Sequence, residues 1–390
     1  MEPKIRFSRN NILYEEKTLS EISTINPKTN VPLEFEYVDL ESVSGTEMTN
    51  HRTEHKATAP SRAQRLAKKG DIFYQTVRPY QRNNYYFDMD DDNYVFSTGY
   101  AQIRPSIYGK YLFTLLQNDS FLKQVLDNCA GTSFPAINPS VLSRLSVRIC
   151  TDKQEQQAIA SYFTSLDSQI SAATSRLASL KQMKAASLQA MFPQEGETVP
   201  KIRFKGFEGE WKKVKLGKLF SERIENNVDG EMLSVTMNNG IIKAAENGRF
   251  DNSNSDKSKY KVVKVGDIAY NSMRMWQGAS GCSQYEGIVS PAYTVVVPNA
   301  NIHSLFFAYL FKTIPMINLF RLHSQGLTKD TWNLKYPAFS IIEVSYPESK
   351  AEQQAIASYF TSLDRQISLQ SQRLEKLKQI KSACLDKMFV

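Results

Sequence analysis

Two stretches of this sequence combine basic, amide and aromatic side chains, a mixture that suits contact with a nucleic acid. Arg, Asn and Gln supply the paired donors and acceptors that base edges require, and Lys and Arg neutralise phosphates. The candidates for base or backbone contact are Arg78, Gln81, Arg82, Asn83, Arg274, Trp276 and Gln277. The candidates for positioning phosphates are Lys68, Lys69, Lys259, Lys261 and Lys264. A formal net charge of +8 also favours an anionic partner.

The residue types needed for catalysis do not occur in a recognised pattern. The sequence contains no phosphate-binding loop, dinucleotide-binding turn or zinc-hydrolase motif. Asp71 and Asp267 could serve a metal-dependent nuclease, but each follows a Gly before an apolar run, which favours a turn leading into a strand. His51 and His55 have helical spacing in a polar stretch that lacks periodicity, which makes a metal pair a weak alternative. We therefore predict no catalytic site, no metal site and no cofactor bound by this chain.

An internal repeat organises the whole chain. Thirteen identical residues, EQQAIASYFTSLD, occupy Glu155–Asp167 and recur at Glu352–Asp364, 197 positions further on. The pentapeptide PKIRF recurs with the same offset, at Pro3–Phe7 and at Pro200–Phe204. Between these landmarks the two copies diverge. The chain is therefore a tandem duplication, and we expect the diverged regions to carry the functional differences.

Each copy of the repeat predicts a long helix with an apolar seam, because its apolar side chains alternate at steps of four and three. The first seam is Ile159, Phe163, Leu166, Ile170, Ala173, Leu177, Leu180, Lys184, Ser187 and Met191. The second seam is Ile356, Phe360, Leu363, Ile367, Gln370, Leu374, Leu377, Lys381, Cys384 and Met388. Capping boxes that begin at Asp152 and Ser349 are expected to start the two helices.

Seams of equal length are expected to pair with each other. Each helix would run for about 57 Å, whereas the polar linker from Pro193 to Phe207 can span at most ~50 Å. A parallel pair would require that linker to return along the whole helix, so we predict an antiparallel coiled coil. The alternative is that each helix packs only on its own domain as a solvent-exposed amphipathic helix.

The regions outside the helices mix short β-rich runs with one apolar helical stretch each, which predicts an α+β fold of two tandem, α/β-mixed domains. We expect a first domain at 1–150, a helix at 151–192, a linker and second domain at 193–347, and a helix at 348–390. The predicted strands are Tyr37–Val43, Asp71–Val77, Tyr94–Ile103, Leu145–Ile149, Leu233–Met237, Asp267–Ser272, Tyr293–Val297 and Ile341–Ser345. The predicted apolar helices are Tyr111–Leu126 and Leu305–Leu322.

Targeting and membrane segments are not apparent in the sequence. No window approaches the roughly 18 uninterrupted apolar residues that a membrane span needs. The first residues, MEPKIRFSRN, lack the apolar core and cleavage site of a secretory signal. We expect a cytoplasmic protein that has no membrane partner.

The duplicated motif resembles one family, the specificity subunits of type I restriction-modification systems. The resemblance covers almost the whole chain and depends on a few short elements in addition to the EQQAIASYFTSLD helix start. These are Leu180-Lys181-Gln182, Leu377-Lys378-Gln379, Gly70-Asp71-Ile72, Gly266-Asp267-Ile268, and Gly131-Thr132-Ser133 leading to Ile137-Asn138. The second copy departs from the pattern at Gly326-Leu327-Thr328, which no Ile-Asn follows.

This resemblance implies two target-recognition domains, each of which reads one half of a split, asymmetric site in double-stranded DNA. It implies two modification (methyltransferase) subunits and restriction/translocase subunits as partners, with S-adenosylmethionine, ATP and Mg²⁺ bound in those partners. One alternative is a protein-interaction scaffold, which would lack salt-dependent DNA affinity. The other is a stand-alone nuclease or methyltransferase with unrecognised motifs.

Overall fold

The computed structural model describes residues 3–7, 14–131, 133–237, 239–247 and 256–389. Thr132, in the Gly131-Thr132-Ser133 element, lies outside the described residues. The chain divides into two compact units. Unit 1 is Met1–Thr174 together with Gln372–Val390, and unit 2 is Ser175–Ser371. Each unit therefore combines one globular region with a part of both repeat helices.

Strands dominate the globular region of unit 1. They are β1 Tyr14–Thr18, β2 Ser23–Ile25, β3 Glu34–Val38, β4 Val43–Ser44, β5 Glu47–Met48, β6 Arg52–His55, β7 Ala63–Leu66, β8 Ile72–Gln75, β9 Tyr85–Tyr86, β10 Tyr94–Ser97, β11 Tyr100–Pro105 and β12 Ser146–Cys150. The short helices are α1 Leu19–Ile22, α2 Gly109–Leu115, α3 Asp119–Asp127 and α4 Pro139–Leu142. The long helix α5 covers Lys153–Ala190.

Two four-stranded sheets form the body of unit 1, in the orders β2-β11-β8-β9 and β6-β3-β10-β7. Every residue of β8 and β10 is buried, and the rings of Phe73 and Phe96 stack with their centroids 3.6 Å apart. β1 and β12 form a separate antiparallel pair. Since β8 is fully buried and pairs with β11 on one side and β9 on the other, the loop that follows it starts from a well-anchored position.

Unit 2 repeats this arrangement in part. Its strands are β13 Lys212–Lys215, β14 Phe220–Glu222, β15 Leu233–Thr236, β16 Gly240–Lys243, β17 Lys261–Val263, β18 Ile268–Asn271, β19 Ser280–Cys282, β20 Gly287–Val289, β21 Tyr293–Pro298 and β22 Glu343–Tyr346. Its helices are α6 Leu216–Leu219, α7 Ser304–Leu310, α8 Ile314–His323, α9 Tyr336–Ser340 and the long α10 Lys350–Met388, with a 3₁₀ turn at Ala244–Asn247.

The sheet order β14-β21-β18-β19 of unit 2 matches β2-β11-β8-β9 of unit 1, strand for strand. The antiparallel pair β13–β22 likewise corresponds to β1–β12. The other described strands of unit 2 form two-stranded pairs, β15–β16 and β17–β20. The duplication seen in the sequence is thus a duplication of one sheet and its flanking elements, with different additions in each unit. The predicted α+β fold is confirmed.

Both predictions of a single apolar helix are wrong, because each helix is interrupted. The first is α2 and α3, which separate at Asn118, where the side-chain oxygen accepts the amide of Ser120 at 2.6 Å and starts a new helix. The second is α7 and α8, which separate at Thr313, two residues before Pro315. The predicted strand Tyr94–Ile103 is also two strands, β10 and β11, in different sheets. Apolar periodicity alone does not reveal where a helix cap or a turn interrupts an element.

The two repeat helices follow the prediction closely. They contain 38 and 39 residues, and every residue of both predicted seams is buried or half-buried. The Asp152 carboxylate accepts the amide of Gln154 at 2.7 Å, and the Ser349 hydroxyl accepts the amide of Glu352 at 3.3 Å. The predicted starts of the helices are therefore confirmed.

The ends of these helices meet in antiparallel fashion within each unit. In unit 1, Phe163 near the start of α5 contacts Phe389 just after α10, with ring centroids 6.1 Å apart. In unit 2, Phe360 near the start of α10 contacts Phe192 just after α5, at 5.8 Å. The start of one helix lies beside the end of the other in both units, so the antiparallel coiled coil is confirmed.

Among the described residues, no single helix has the length and apolar character to cross a membrane. The bent pair Ser304–Leu310 and Ile314–His323, whose axes meet at 82°, passes that test by length and composition only. Residues of both helices, including Phe306, Phe307 and Phe320, are buried in the core of unit 2.

Candidate nucleic-acid interface

The two Gly-Asp-Ile elements form the turns that lead into β8 and β18. In unit 1 the carboxylate of Asp71 accepts the backbone amide of Lys68 at 2.9 Å. The same carboxylate binds the guanidinium of Arg104 through two hydrogen bonds of 2.8 and 2.7 Å. Gly70 has a φ of +94°, which favours glycine. This geometry confirms the turn and gives Asp71 a structural task.

Asp267 is used in the same way in unit 2, but with an arginine from a different part of the sheet. Its carboxylate accepts the amide of Lys264 at 2.8 Å and binds Arg223 through hydrogen bonds of 2.7 and 2.9 Å. Arg223 follows β14, whereas Arg104 belongs to β11. The two units have therefore kept the ion pair while changing the residue that supplies the cation.

The predicted contact loop of unit 1 begins directly after β8 and contains a 3₁₀ turn at Pro79–Gln81. Arg78 and Arg82, on either side of this turn, have φ values of +54° and +56°. Positive φ is uncommon for arginine, and residues held in this region often occur at binding sites. The guanidinium carbon of Arg78 lies 4.5 Å from the centre of the Phe134 ring, a cation–π contact.

Three other candidates in this loop bond within unit 1. The side-chain oxygen of Gln81 accepts Nε2 of Gln75 at 2.8 Å. Arg82 donates to the backbone carbonyl of Gln117 at 3.1 Å and forms an ion pair with Asp119. The side-chain oxygen of Asn83 accepts the amide of Gly45 at 2.9 Å. These bonds hold the loop in shape, and the role of the three side chains in DNA contact stays a prediction.

The corresponding loop of unit 2 follows β18 and contains a 3₁₀ turn at Met275–Gln277. The Arg274 side chain is 42% exposed, and its Nη1 lies 4.0 Å from Oδ1 of Asp330. The indole N–H of Trp276 donates to the carbonyl of Met273 at 3.1 Å. Its ring meets that of Trp332 edge to face, with centroids 5.4 Å apart. Gln277 is exposed. The three candidates of unit 2 thus lie in one turn, and two of them, Arg274 and Trp276, approach residues of a second loop.

A second loop lies beside the first in each unit. The amide of Ile137 donates to the carbonyl of Thr76 at 3.0 Å, and the amide of Leu334 donates to that of Ser272 at 2.8 Å. The departure at Gly326-Leu327-Thr328 therefore leaves the equivalent loop connection intact in unit 2. Sequence reasoning missed the aromatic residues that these second loops contribute, Phe134 and Trp332. The sequence did contain a signal for these two residues. Each is an aromatic residue that follows a glycine in the loop after a helix.

The lysines predicted to position phosphates lie elsewhere. Lys68, Lys69 and Lys264 lie in the turns before β8 and β18, at the opposite ends of these strands from the Arg78 and Arg274 loops. Their ammonium groups have local partners in two cases: Lys69 binds Asp90 at 2.6 Å, and Lys264 binds Glu225 at 3.3 Å.

Lys259 and Lys261 complete the set of candidates in unit 2. Lys259 is exposed, and Nζ of Lys261 lies 3.5 Å from a carboxylate oxygen of Glu222. The structure does not join the lysines and the arginine loops into a single cluster, and the lysine assignment stays a prediction.

Among the described residues, His, Cys, Asp and Glu side chains form no group of three or more that could hold a metal ion. His51 and His55 lie beside and within the extended strand β6, so the helical spacing has no structural counterpart. The Nδ1 atom of His51 lies 2.7 Å from Oε2 of Glu36.

Each of the two α+β units presents an equivalent pair of polar and aromatic loops and contains part of both repeat helices. A family model described as the type I restriction modification DNA specificity domain matches this chain twice, at residues 11–182 and 208–379. The chain belongs to this family, and each match covers one copy of the duplication.

One curated relative is similar to part of this chain, and two solved structures have a similar fold. The HindI specificity subunit of Haemophilus influenzae is 34% identical over 139 residues, which is 34% of this chain and 30% of the relative, so the match spans about a third of that protein. The S subunit of a type I restriction-modification system from M. genitalium has a similar fold, with a TM-score of 0.64, 15% identity and coverage of 100% and 99% of the two chains. A chain from a structure of a type I R-M system has a TM-score of 0.53 at 19% identity, covering 96% and 97%.

Proposed function

We propose that this chain is the DNA-reading specificity subunit of a type I restriction-modification complex, and that each unit reads one half of a split, asymmetric target. One observation carries the proposal. The loops after β8 and β18 leave equivalent strands of two matching sheets, one in each unit, but they present different side chains. Equivalent placement with different chemistry is what two readers of two different half-sites require.

The loop pairs supply suitable groups for this task. Arg78 and Arg274 can reach guanine edges or phosphates, and the partly exposed rings of Tyr80 and Trp276 offer apolar contact with bases. Backbone hydrogen bonds between neighbouring loops hold the backbone that carries these side chains. Such pre-organisation favours specific binding, because less conformational freedom is lost when the complex forms.

The repeat helices would act as the spacer between the half-sites. The helices contain 38 and 39 residues, and under this proposal they would set the spacing of the two half-sites, much as dimeric DNA-binding proteins do. We further propose that two modification (methyltransferase) subunits and restriction/translocase subunits dock on this chain in the cytoplasm. S-adenosylmethionine, ATP and Mg²⁺ would then be bound by those partners, and this chain would bind none of them and would not be catalytic alone.

Methylome sequencing tests the proposal directly. A host that expresses this chain with its neighbouring modification subunit is compared with a host that lacks only this chain. We expect a split motif that is methylated only when the chain is present. Absence of any new motif, in cells where the complex is shown to assemble, would favour the scaffold alternative. Salt-dependent binding of the purified complex to the methylated motif separates the two further, because a protein scaffold has no such dependence.

A further inference from the structure

The ammonium group of Lys312 holds the Arg274–Gln277 loop of unit 2 against the junction of two helices. Lys312 is partly buried at the junction between α7 and α8. Its Nζ donates to the carbonyl oxygens of Gly278, of Ser280 at 2.8 Å and of Met237 at 3.0 Å. The first two carbonyls belong to the return segment of the loop that carries Arg274, Trp276 and Gln277. The third follows β15, so one cation joins two strand connections to the helix pair.

The close approach of the loop to the helices depends on its backbone. Gly278 has a φ of +82° and ends the 3₁₀ turn. A Cβ atom there would lie 3.1 Å from a methyl group of Ile317 and 3.7 Å from the side chain of Lys312. The loop thus runs directly over α8, and the carbonyls of Gly278 and Ser280 point at the ammonium group.

Lys312 also faces the charged groups of the two repeat helices. Lys184 on α5 and Asp364 on α10 act on it electrostatically, and Asp364 accepts a hydrogen bond of 2.9 Å from the hydroxyl of Tyr309 on α7. Burial and the charge of Lys184 lower the pKa of Lys312 to about 8, and Asp364 opposes them. A neutral amine has only two N–H bonds, so three donated hydrogen bonds require the protonated form.

Unit 1 joins the equivalent two elements, the loop and the helix junction, but there the cation belongs to the loop. There the loop itself supplies Arg82, which donates to the carbonyl of Gln117 at the junction of α2 and α3. Both units therefore brace the loop after the Gly-Asp-Ile strand against the junction of a helix pair. The residue that supplies the charge differs, but the connection is the same.

We propose that Lys312 is a positioning residue for DNA recognition, which holds the Arg274–Gln277 loop in its reading conformation without touching DNA. This inference rests on the proposed function. An unbraced loop would still carry Arg274 and Trp276, but their side chains would no longer be fixed relative to the sheet. Recognition by unit 2 would weaken, and recognition by unit 1 would not change.

The experiment compares the Lys312→Met and Lys312→Arg variants with the wild-type complex. Lys213→Met, which removes an exposed lysine that pairs with Glu343 at 3.0 Å, is the matched control for loss of one charge. Two readouts are taken: the methylated motif in cells, and the affinity of the purified complex for that motif across a salt series.

For Lys312→Met we expect relaxed or altered bases in one half-site only, an affinity lower by roughly tenfold to hundredfold, and an unchanged salt slope. Lys312→Arg should restore the half-site, because arginine keeps the charge and the donors. An unchanged motif and affinity in Lys312→Met would overturn the inference. So would a salt slope reduced by about 1, since that would mean a phosphate contact. Loss of both half-sites would overturn it as well, because a positioning role confines the effect to unit 2.

These outcomes are distinct from failure of the proposed function itself. If the wild-type chain produced no split motif, the specificity role would fail before Lys312 was tested. If the motif appeared and Lys312→Met left it intact, the specificity role would stand and the positioning role would fail.

Discussion

The ammonium of Lys184 lies 2.6 Å from a carboxylate oxygen of Asp364 in unit 2, and Lys381 lies 2.5 Å from Asp167 in unit 1. The two ion pairs are equivalent, because each lysine and each aspartate is displaced by 197 positions from its counterpart. Each pair joins one repeat helix to the other. A parallel arrangement could not form both contacts, so the pairs mark the antiparallel register.

Removing one of these pairs should have a small, measurable effect on stability. The side chains of Lys184 and Asp364 are 27% and 40% exposed, and solvent screening keeps such pairs in the range of about 0.2–1 kcal/mol. A double-mutant cycle with Lys184→Met and Asp364→Asn should give a coupling energy in that range by urea unfolding. The cycle with Lys381→Met and Asp167→Asn should give a similar value. Zero coupling energy in both cycles would contradict a contribution of these ion pairs to stability.

Replacing Asp71 should cost far more. The Asp71 side chain is almost fully buried, and its removal by Asp71→Ala would leave the guanidinium of Arg104 and the turn amide without their acceptor. Because the Arg104 side chain is itself 33% exposed, the cost should be below that of a fully buried pair, at about 1.5–3 kcal/mol. Glu15→Ala, which removes an exposed pair with Lys17, is the control and should change the unfolding free energy by less than about 1 kcal/mol. Equal effects in the two variants would refute the structural task of Asp71.

Replacing Arg274 tests the reading loop itself. If its guanidinium reads a base, Arg274→Ala should weaken binding to the methylated motif by about 1–3 kcal/mol and relax the choice of base at one position. Lys259→Ala is the matched comparison, because a phosphate contact should weaken binding to all sequences and lower the salt slope by about 1. Unchanged affinity and unchanged target choice in Arg274→Ala would remove this residue from the interface.

The lowered pKa of Lys312 predicts a pH dependence of stability. Burial and the charge of Lys184 lower the pKa of Lys312 to about 8 in the folded chain, whereas the pKa of a lysine in the unfolded chain is about 10.4. Between these values the unfolded state binds more protons, so the unfolding free energy should rise with pH. Below pH 8 both states are protonated, and the contribution is constant.

The difference between wild type and Lys312→Met isolates this effect from the other titrating groups. Urea unfolding at several values between about pH 7.5 and 10 should show the stability of wild type rising relative to the variant, by at most about 1.4 kcal/mol for an increase of one in pH. If the difference in unfolding free energy between wild type and variant does not change across this pH window, the three carbonyl oxygens offset the effect of burial on the pKa of Lys312.

Several features of the fold were accessible from the sequence because they depend on local or repeated patterns. The identical residues of the two repeats mark equivalent helices, and the alternating apolar steps identify which face is buried. The N-terminal caps at Asp152 and Ser349 were found because a cap is a short-range interaction between a side chain and nearby amides. The breaks at Asn118 and Thr313 are equally local, but the continuous apolar pattern across them concealed the interruption.

The interface was only partly accessible, because its members are distant in the chain. Basic and aromatic composition identified Arg78 and Arg274, which stand near strand ends. Nothing in the local pattern indicated that Phe134 would lie under Arg78, or that Trp332 would meet Trp276. These contacts form when a loop between two helices closes against the end of a buried strand, and that closure depends on the packing of the whole unit.

Lys312 shows most clearly the difference between what the local sequence indicates and what the packing of the chain determines. In the sequence it is one lysine after an apolar helix, 34 residues from Gly278 and 75 from Met237, and composition predicts an exposed charge. The tertiary structure decides that three carbonyl oxygens converge on its ammonium group, because the ends of two strand connections meet the junction of α7 and α8. Repetition and periodicity determine which elements form, whereas the convergence of polar groups from separate elements depends on their packing in three dimensions.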